Sequence, residues 1–188
     1  MKNLDVVVPN NNEKELIEMA IKSGFEELVL LSENINYQYD IRKYLVPEGK
    51  IIIKKGFLAK DISHISKARK RFDYIFANAE RKFFEQKIDY IINSELSDRK
   101  DSFHYRNTSL NQVHAKLAKE NNITIVFNLG LLLESNMRNK QIFFGRMLQN
   151  ARLVNKYKLK HAIFSLASKP SEMRGPVVMK AMENVLGL

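Results

Sequence analysis

The chain contains no cysteine among its 188 residues. That absence removes disulfides, thiolate zinc sites and cysteine nucleophiles together, and it fits a reducing compartment such as the cytoplasm. Other signatures are missing as well. No apolar run is long enough to span a bilayer, and the first residues, MKNLDVVVPN, lack the apolar core of a secretory signal. The expectation is a cytoplasmic protein with no membrane partner. No G-x-G-x-x-G follows the first apolar run, and the chain has neither a P-loop nor a G-x-S-x-G elbow. The four histidines, His64, His104, His114 and His161, occur in neither H-x-H nor H-E-x-x-H spacing, so no metal site is encoded locally. No Gly/Ser/Pro linker or low-complexity tail divides the chain, which predicts one domain over residues 1–188.

What is present is positive charge, unevenly spread. Residues 1–48 hold 5 basic and 9 acidic side chains and residues 49–188 hold 26 and 12, so the two parts carry −4 and +14. The whole has a net charge of +10 and a pI near 9.7. A basic protein of this asymmetry favours a polyanionic partner. The acidic first 48 residues are a candidate protein-contact face.

Short apolar runs alternate with helical patterns. Strands are predicted at Leu4–Val8, Glu27–Leu31, Ile51–Lys54, Asp73–Phe76, Asp89–Ile92, Ile123–Phe127 and His161–Ser165. Helices are predicted at Asn12–Ser23, Lys60–Arg71, Ser109–Asn121, Lys140–Tyr157 and Pro176–Leu186, with Ser109 as the cap of the third. Helices between most of the strands mean parallel strands joined by helical crossovers. Seven strands in one domain suit an α/β fold of the TIM-barrel type, one strand short or distorted; an open doubly wound sheet is the alternative. Asn93–Thr108 and Asn128–Asn139 read as long loops.

Asp5, on the first strand, stands where a metal-dependent barrel hydrolase would place a ligand, but Val6, Val7, Val8 and Pro9 follow it, and that run is core material. The basic patterns are more informative. Lys60, His64, Lys67 and Arg71 form one stripe of the second helix. In the fourth, Phe143, Met147, Ala151 and Val154 form the buried stripe, with Gln149, Arg152 and Lys156 opposite and Lys158 and Lys160 following. The loop SELSDRKDSFHYRNT sets Arg99, Lys100 and Arg106 beside Phe103 and Tyr105, a mixture that suits RNA phosphates and unpaired bases. Ser168, Lys169 and Arg174 precede a helix opened by Pro176, a candidate anion site at the strands' C-terminal edge.

Four strings in register carry a family resemblance. They are Leu110–Ala118 (LNQVHAKLA), Ile123–Asn128 (ITIVFN), Arg152–Tyr157 (RLVNKY) and the closing R-x-P helix Arg174–Gly187. Over about residues 88–188 the chain resembles ribonuclease P protein component 3, the archaeal and eukaryotic thirty-kilodalton subunit family. The resemblance implies a barrel-like fold related to metal-dependent hydrolases but without their active site. Where those hydrolases carry Asp-x-His-x-His, this chain has Asp5, Val7 and Pro9. It also implies a noncatalytic subunit of the ribonucleoprotein that removes 5′ leaders from precursor tRNA. The expected partners are ribonuclease P RNA, precursor tRNA in the complex, and other protein subunits including one small partner. No cofactor is expected on the chain, and Mg2+ is expected on the RNA. The candidate phosphate contacts are Arg99, Lys100, Arg106, Arg152, Lys156, Lys158, Lys160, Lys169 and Arg174. The competing readings are a barrel hydrolase acting on a phosphorylated small molecule at Lys169–Pro176, and a module that binds only protein.

Overall fold

The computed structural model describes residues 3–37 and 51–188; residues 1–2 and 38–48 of the acidic N-terminal part lie outside that set. Seven parallel strands follow one another in chain order: β1 (Leu4–Val7), β2 (Glu27–Ser32), β3 (Ile52–Ala59), β4 (Tyr74–Asn78), β5 (Tyr90–Ile92), β6 (Thr124–Asn128) and β7 (His161–Phe164). The helices are α1 (Glu13–Lys22), α2 (Ile65–Ala68), α3 (Arg81–Phe84), α4 (Gln112–Glu120), α5 (Leu129–Glu134), α6 (Met137–Tyr157) and α7 (Pro176–Leu186).

The first and last strands meet. Val7 and Ala167 form a parallel bridge, and the Val8 N–H donates to the Ala167 carbonyl at 2.9 Å. A doubly wound sheet reverses its strand order partway, whereas this one never does and its edges join. The fold is a nearly closed barrel of seven strands wrapped by helices.

Side-chain parity explains the layers. On β4, Tyr74, Phe76 and Asn78 point into the barrel while Ile75 and Ala77 point out to the helices. Val6, Val29, Leu31, Phe76, Ile92, Val126 and Phe164 pack the interior. Gly56 on β3 belongs there because space forbids more: a Cβ would stand 2.8 Å from Val29 Cγ1 and 3.0 Å from the Phe76 ring. The outer layer is larger and includes Leu16, Phe57, Phe83, Phe84, Phe127 and Met147.

Several boundaries differ from expectation. The Lys60–Arg71 helix is a 3-10 turn at Ile62–His64 followed by the single turn of α2. Past it, Phe72 packs its ring 5.2 Å from that of Phe57, and Arg69 pairs with Asp89 at 2.6 Å. The expected basic stripe is therefore interrupted. The Asn128–Asn139 loop contains α5, and α3 is an additional turn. Asn111, not Ser109, caps α4, its side chain accepting the His114 N–H at 2.9 Å. The β3 strand runs to Ala59, well beyond Lys54.

After β7 the chain descends along α1. The Asn12 side chain donates to the Ser168 carbonyl at one end of α1, and Gly175 lies against Ser23 at the other. Helix α7 then crosses the N-terminal ends of the strands. Between it and the slot separating the lower halves of β1 and β7 is a cavity of about 890 Å3, lined mainly by apolar side chains.

Candidate nucleic-acid interface

In enzymes of barrel type the reacting groups stand at the C-terminal mouth of the strands. Here that mouth holds a chain of amides. Beside it the Glu134 and Glu172 carboxyls share a hydrogen bond near Lys169, with burial and the Glu172 charge raising Glu134. The Asn93 Nδ2 donates to Asn78 Oδ1 at 3.0 Å, the Asn128 Nδ2 donates to Asn93 Oδ1 at 2.9 Å, and Asn128 Oδ1 accepts the Leu131 N–H. This chain of neutral groups ties the ends of β4, β5 and β6 together. Asp5 is fully buried and closes the seam between β1 and β7. Its Oδ1 accepts the N–H groups of Val6 and Ser165, each at 2.8 Å, and its Oδ2 accepts the Ser165 hydroxyl at 2.6 Å. Burial pushes the Asp5 carboxyl up to about 6 despite these hydrogen bonds. Among the described residues, no group of three or more His, Cys, Asp or Glu is arranged to hold a metal ion. Two of the four histidines have other partners. The His114 ring stacks on Phe84 at 4.5 Å and its Nδ1 lies 2.7 Å from the Ser109 carbonyl, while His161 pairs with Glu183 at 3.0 Å.

The most elaborate polar structure is the loop at 93–108 and its attachment to α6. Asn93, in the left-handed region at φ 58°, turns the chain out of β5. Arg146 of α6 then holds the loop from beneath, at only 5% exposure. Its guanidinium donates to the carbonyls of Glu95 (3.0 Å), Ser97 (3.3 Å) and Arg99 (2.9 Å), and its Nε donates to Asp101 (3.0 Å). The Asp101 carboxylate also accepts from Arg106 at 3.1 Å and from the Asn107 N–H at 2.9 Å. Partial burial pushes Asp101 upward, but these donors outweigh it and hold the carboxyl below its ordinary value. Gln149, one turn farther along α6, clasps the Arg106 backbone at both ends, accepting its N–H at 2.8 Å and donating to its carbonyl at 2.7 Å. Gly145 leaves room for the Arg106 side chain to cross the helix: a Cβ there would stand 3.1 Å from Arg106 Nε. Deeper still, Asn150 donates to the Ser94 hydroxyl at 3.0 Å beside the fully buried Glu95, whose carboxyl burial pushes up to about 7.

The attached loop faces solvent with its remaining side chains. Arg99 and Lys100 are exposed, Phe103 is 97% exposed and Tyr105 is 60% exposed. A tight turn sets the tip, with the Ser102 N–H donating to the Tyr105 carbonyl and the Tyr105 N–H to the Ser102 hydroxyl. The predicted residue Arg106 is in this assembly but is paired with Asp101, whereas Arg99 and Lys100 form no ion pair among the described residues.

The other predicted residues lie elsewhere. Arg152 and Lys156 are exposed on α6, with Lys156 Nζ 5.7 Å from the Tyr157 ring centroid. Lys158 ends α6 in the left-handed conformation at φ 51°, and Lys160 enters β7 at the rim of the cavity. These four follow α6 down to the strands' N-terminal end. Ser168 and Lys169 do not share a site with Arg174 and the α7 N-terminus as expected. The N–H groups of Ser168 and Lys169 already hold the Glu172 carboxylate, each at 2.9 Å. Arg174 donates to the Ser171 and Met173 carbonyls, each at 2.7 Å. Ser168 and Gly175 are separated by roughly the 15 Å length of α1. The reason is the descending segment, whose extended backbone at Met173 and Gly175 is invisible in a residue pattern. Sequence reasoning missed Arg146 and Asn150. A signal existed: both fall at helical spacing within the stripe of Phe143, Met147 and Val154.

No family model matches the chain. Its structure is similar to a chain in the cryo-EM structure of archaeal ribonuclease P with mature tRNA, with a TM-score of 0.80 at 19% identity over 97% of this chain and 82% of that one. A second similarity is to a crystal structure of an uncharacterized protein, with a TM-score of 0.51 at 8% identity over 91% of this chain and 66% of the other. At these identities the likeness is one of fold, and it extends over nearly all of the barrel.

Proposed function

We propose that the chain is a noncatalytic protein subunit of a cytoplasmic ribonuclease P ribonucleoprotein, which removes 5′ leaders from precursor tRNA. The observation that carries this reading is the near-complete likeness in fold to a chain of archaeal ribonuclease P in complex with tRNA. The four strings in register over residues 88–188 and the net charge of +10 point the same way. In this reading the protein binds and stabilises the catalytic RNA, which must fold against its own phosphate repulsion, and Mg2+ sits on the RNA. Arg99, Lys100, Arg152, Lys156, Lys158 and Lys160 contact phosphates, with Arg106, Lys169 and Arg174 contributing from their partly engaged positions. Precursor tRNA and other protein subunits, one of them small, complete the particle. The amide chain at the barrel mouth and the engagement of Asp5 with Ser165 support a noncatalytic role. The hydrolase alternative relied on Lys169 and the α7 N-terminus sharing a pocket, which the descending segment separates.

The test is precursor-tRNA cleavage by ribonuclease P RNA and the small partner protein at limiting Mg2+, with and without this chain. The expected result is cleavage that appears only when the chain is added. No change in cleavage, with RNA binding no stronger than that of a neutral protein, would overturn the reading.

A further inference from the structure

The loop at 93–108 combines two properties that rarely occur together. Its backbone is held by a buried guanidinium, a two-point glutamine clasp and a shared carboxylate. Its tip nonetheless exposes a phenylalanine almost completely, at 97%. An exposed aromatic on a pliant loop can fold back onto the surface, whereas the backbone that carries this one is anchored on both sides of the tip. The exposed His104 ring meets Phe103 edge-on, with centroids 5.2 Å apart and planes at 87°, and the rest of the phenyl ring is open to solvent. Tyr105 stands two residues away, 60% exposed. Arg99 and Lys100, both exposed, supply positive charge on the same loop.

We infer that this tip is a stacking platform for an unpaired nucleobase of RNA, with Phe103 and Tyr105 taking base faces while Arg99 and Lys100 hold the adjoining phosphates. The inference rests on the RNA-binding reading and adds to it the strandedness of the RNA and the residues that sense it. A planar base supplies the flat face that Phe103 lacks, and the flanking cations match a polyanion better than an apolar protein groove. In a duplex the bases are already stacked on one another, so the platform discriminates in favour of single strands, loops and bulges. Holding the loop backbone beforehand lowers the ordering cost of binding.

The test uses the full chain and two fluorescent RNA probes, an unstructured single-stranded oligonucleotide of about twelve nucleotides and its duplex with the complement, titrated by anisotropy over a range of salt. The expected result is that Phe103→Ala weakens single-strand binding by about five- to a hundredfold, leaves duplex binding unchanged, and leaves the salt slope unchanged because no charge is lost. Phe103→Tyr should retain binding and Phe103→Leu should not. The double variant Arg99→Ala/Lys100→Ala should instead flatten the salt slope on the single strand by about 1.4. If Phe103→Ala matches the wild type on both probes while the double variant flattens the slope, the platform is overturned and the RNA reading stands. If the wild type binds neither probe in a salt-dependent manner, the RNA reading falls and the platform with it. If Phe103→Ala loses a protein partner from the reconstituted particle but no RNA affinity, the tip is a protein contact and the inference fails.

Discussion

Asp5 is a carboxylate with all its hydrogen bonds made and no exposure to water. Its role follows from position: among the described residues, β1 and the chain just past β7 bridge in the backbone at Val7 and Ala167, and two residues before Val7 the Asp5 side chain takes over the stitching through Ser165. Burial raises its carboxyl from 3.8 to about 6, so the folded state holds the proton over a range where the unfolded chain has released it. The contribution to stability therefore falls as pH rises from about 4 to about 6 and stays at its lower value above that. By linkage the fall is on the order of 3 kcal/mol. Asp5→Asn keeps the Oδ1 acceptor for the two N–H groups and cannot ionise. In urea unfolding the difference between wild type and Asp5→Asn should shift toward the variant between pH 4 and 6 and be flat above pH 7. Asp5→Ala leaves the Ser165 N–H without its acceptor and the Ser165 hydroxyl with only the longer bond to the Val6 carbonyl. Because alanine cannot ionise, its cost relative to wild type should be greatest below pH 4 and smaller by on the order of 3 kcal/mol above pH 6. A parallel pH dependence for wild type and Asp5→Asn would show that other groups control the acid range.

At the scale of elements, α6 organises the molecule because it packs an apolar stripe on the barrel and also secures the loop that follows β5. Arg146 is the centre of that attachment. Removing its guanidinium strands the carbonyls of Glu95, Ser97 and Arg99 and uncovers Asp101. Arg146→Met should therefore destabilise by about 3–5 kcal/mol, and native-state hydrogen exchange should show the 93–108 loop opening before the barrel. Arg146→Lys should recover little, because a single ammonium cannot reach three carbonyls and a carboxylate in the fork arrangement of a guanidinium. The barrel itself was legible in the sequence. Runs such as ITIVF are continuous because strands covered on both faces need apolar residues on both, and the intervening patterns have helical period. The attachment was less legible. Its partners are backbone carbonyls and a carboxylate 45 or more residues away, and carbonyls carry no residue identity. The α5 turn was hidden for a similar reason: it is six residues long and is started by the Asn128 side chain, which also belongs to the mouth's amide chain.

Over the whole molecule, the nine predicted cationic positions do not form one patch. Arg99, Lys100 and Arg106 stand at the end where the strands finish, and Lys156, Lys158 and Lys160 at the end where they begin. From Gln149, which touches the loop, to Lys156 the helix advances about 10 Å, and Lys158 and Lys160 lie beyond that. This exceeds the screening length of about 8 Å at physiological salt, so the two groups act on a polyanion independently unless a single RNA spans both. The net charge of +10 makes either arrangement possible, and salt dependence separates them. For structured, largely duplex RNA each lost phosphate contact lowers the slope of log affinity against log salt by about 0.9. The set Lys156→Ala, Lys158→Asn and Lys160→Ala should flatten it by about 2.7, with asparagine chosen because residue 158 has a positive φ that alanine tolerates poorly. Arg99→Ala/Lys100→Ala should flatten it by about 1.8. If one RNA wraps the barrel from end to end, the five-residue variant should lose about 4.5, the free energies adding because the sites are distant. If one set leaves the slope untouched, RNA grips a single end of the barrel, and the other end, with the cavity beneath α7 or the aromatic tip above α6, is free for the protein subunit that the proposed function calls for.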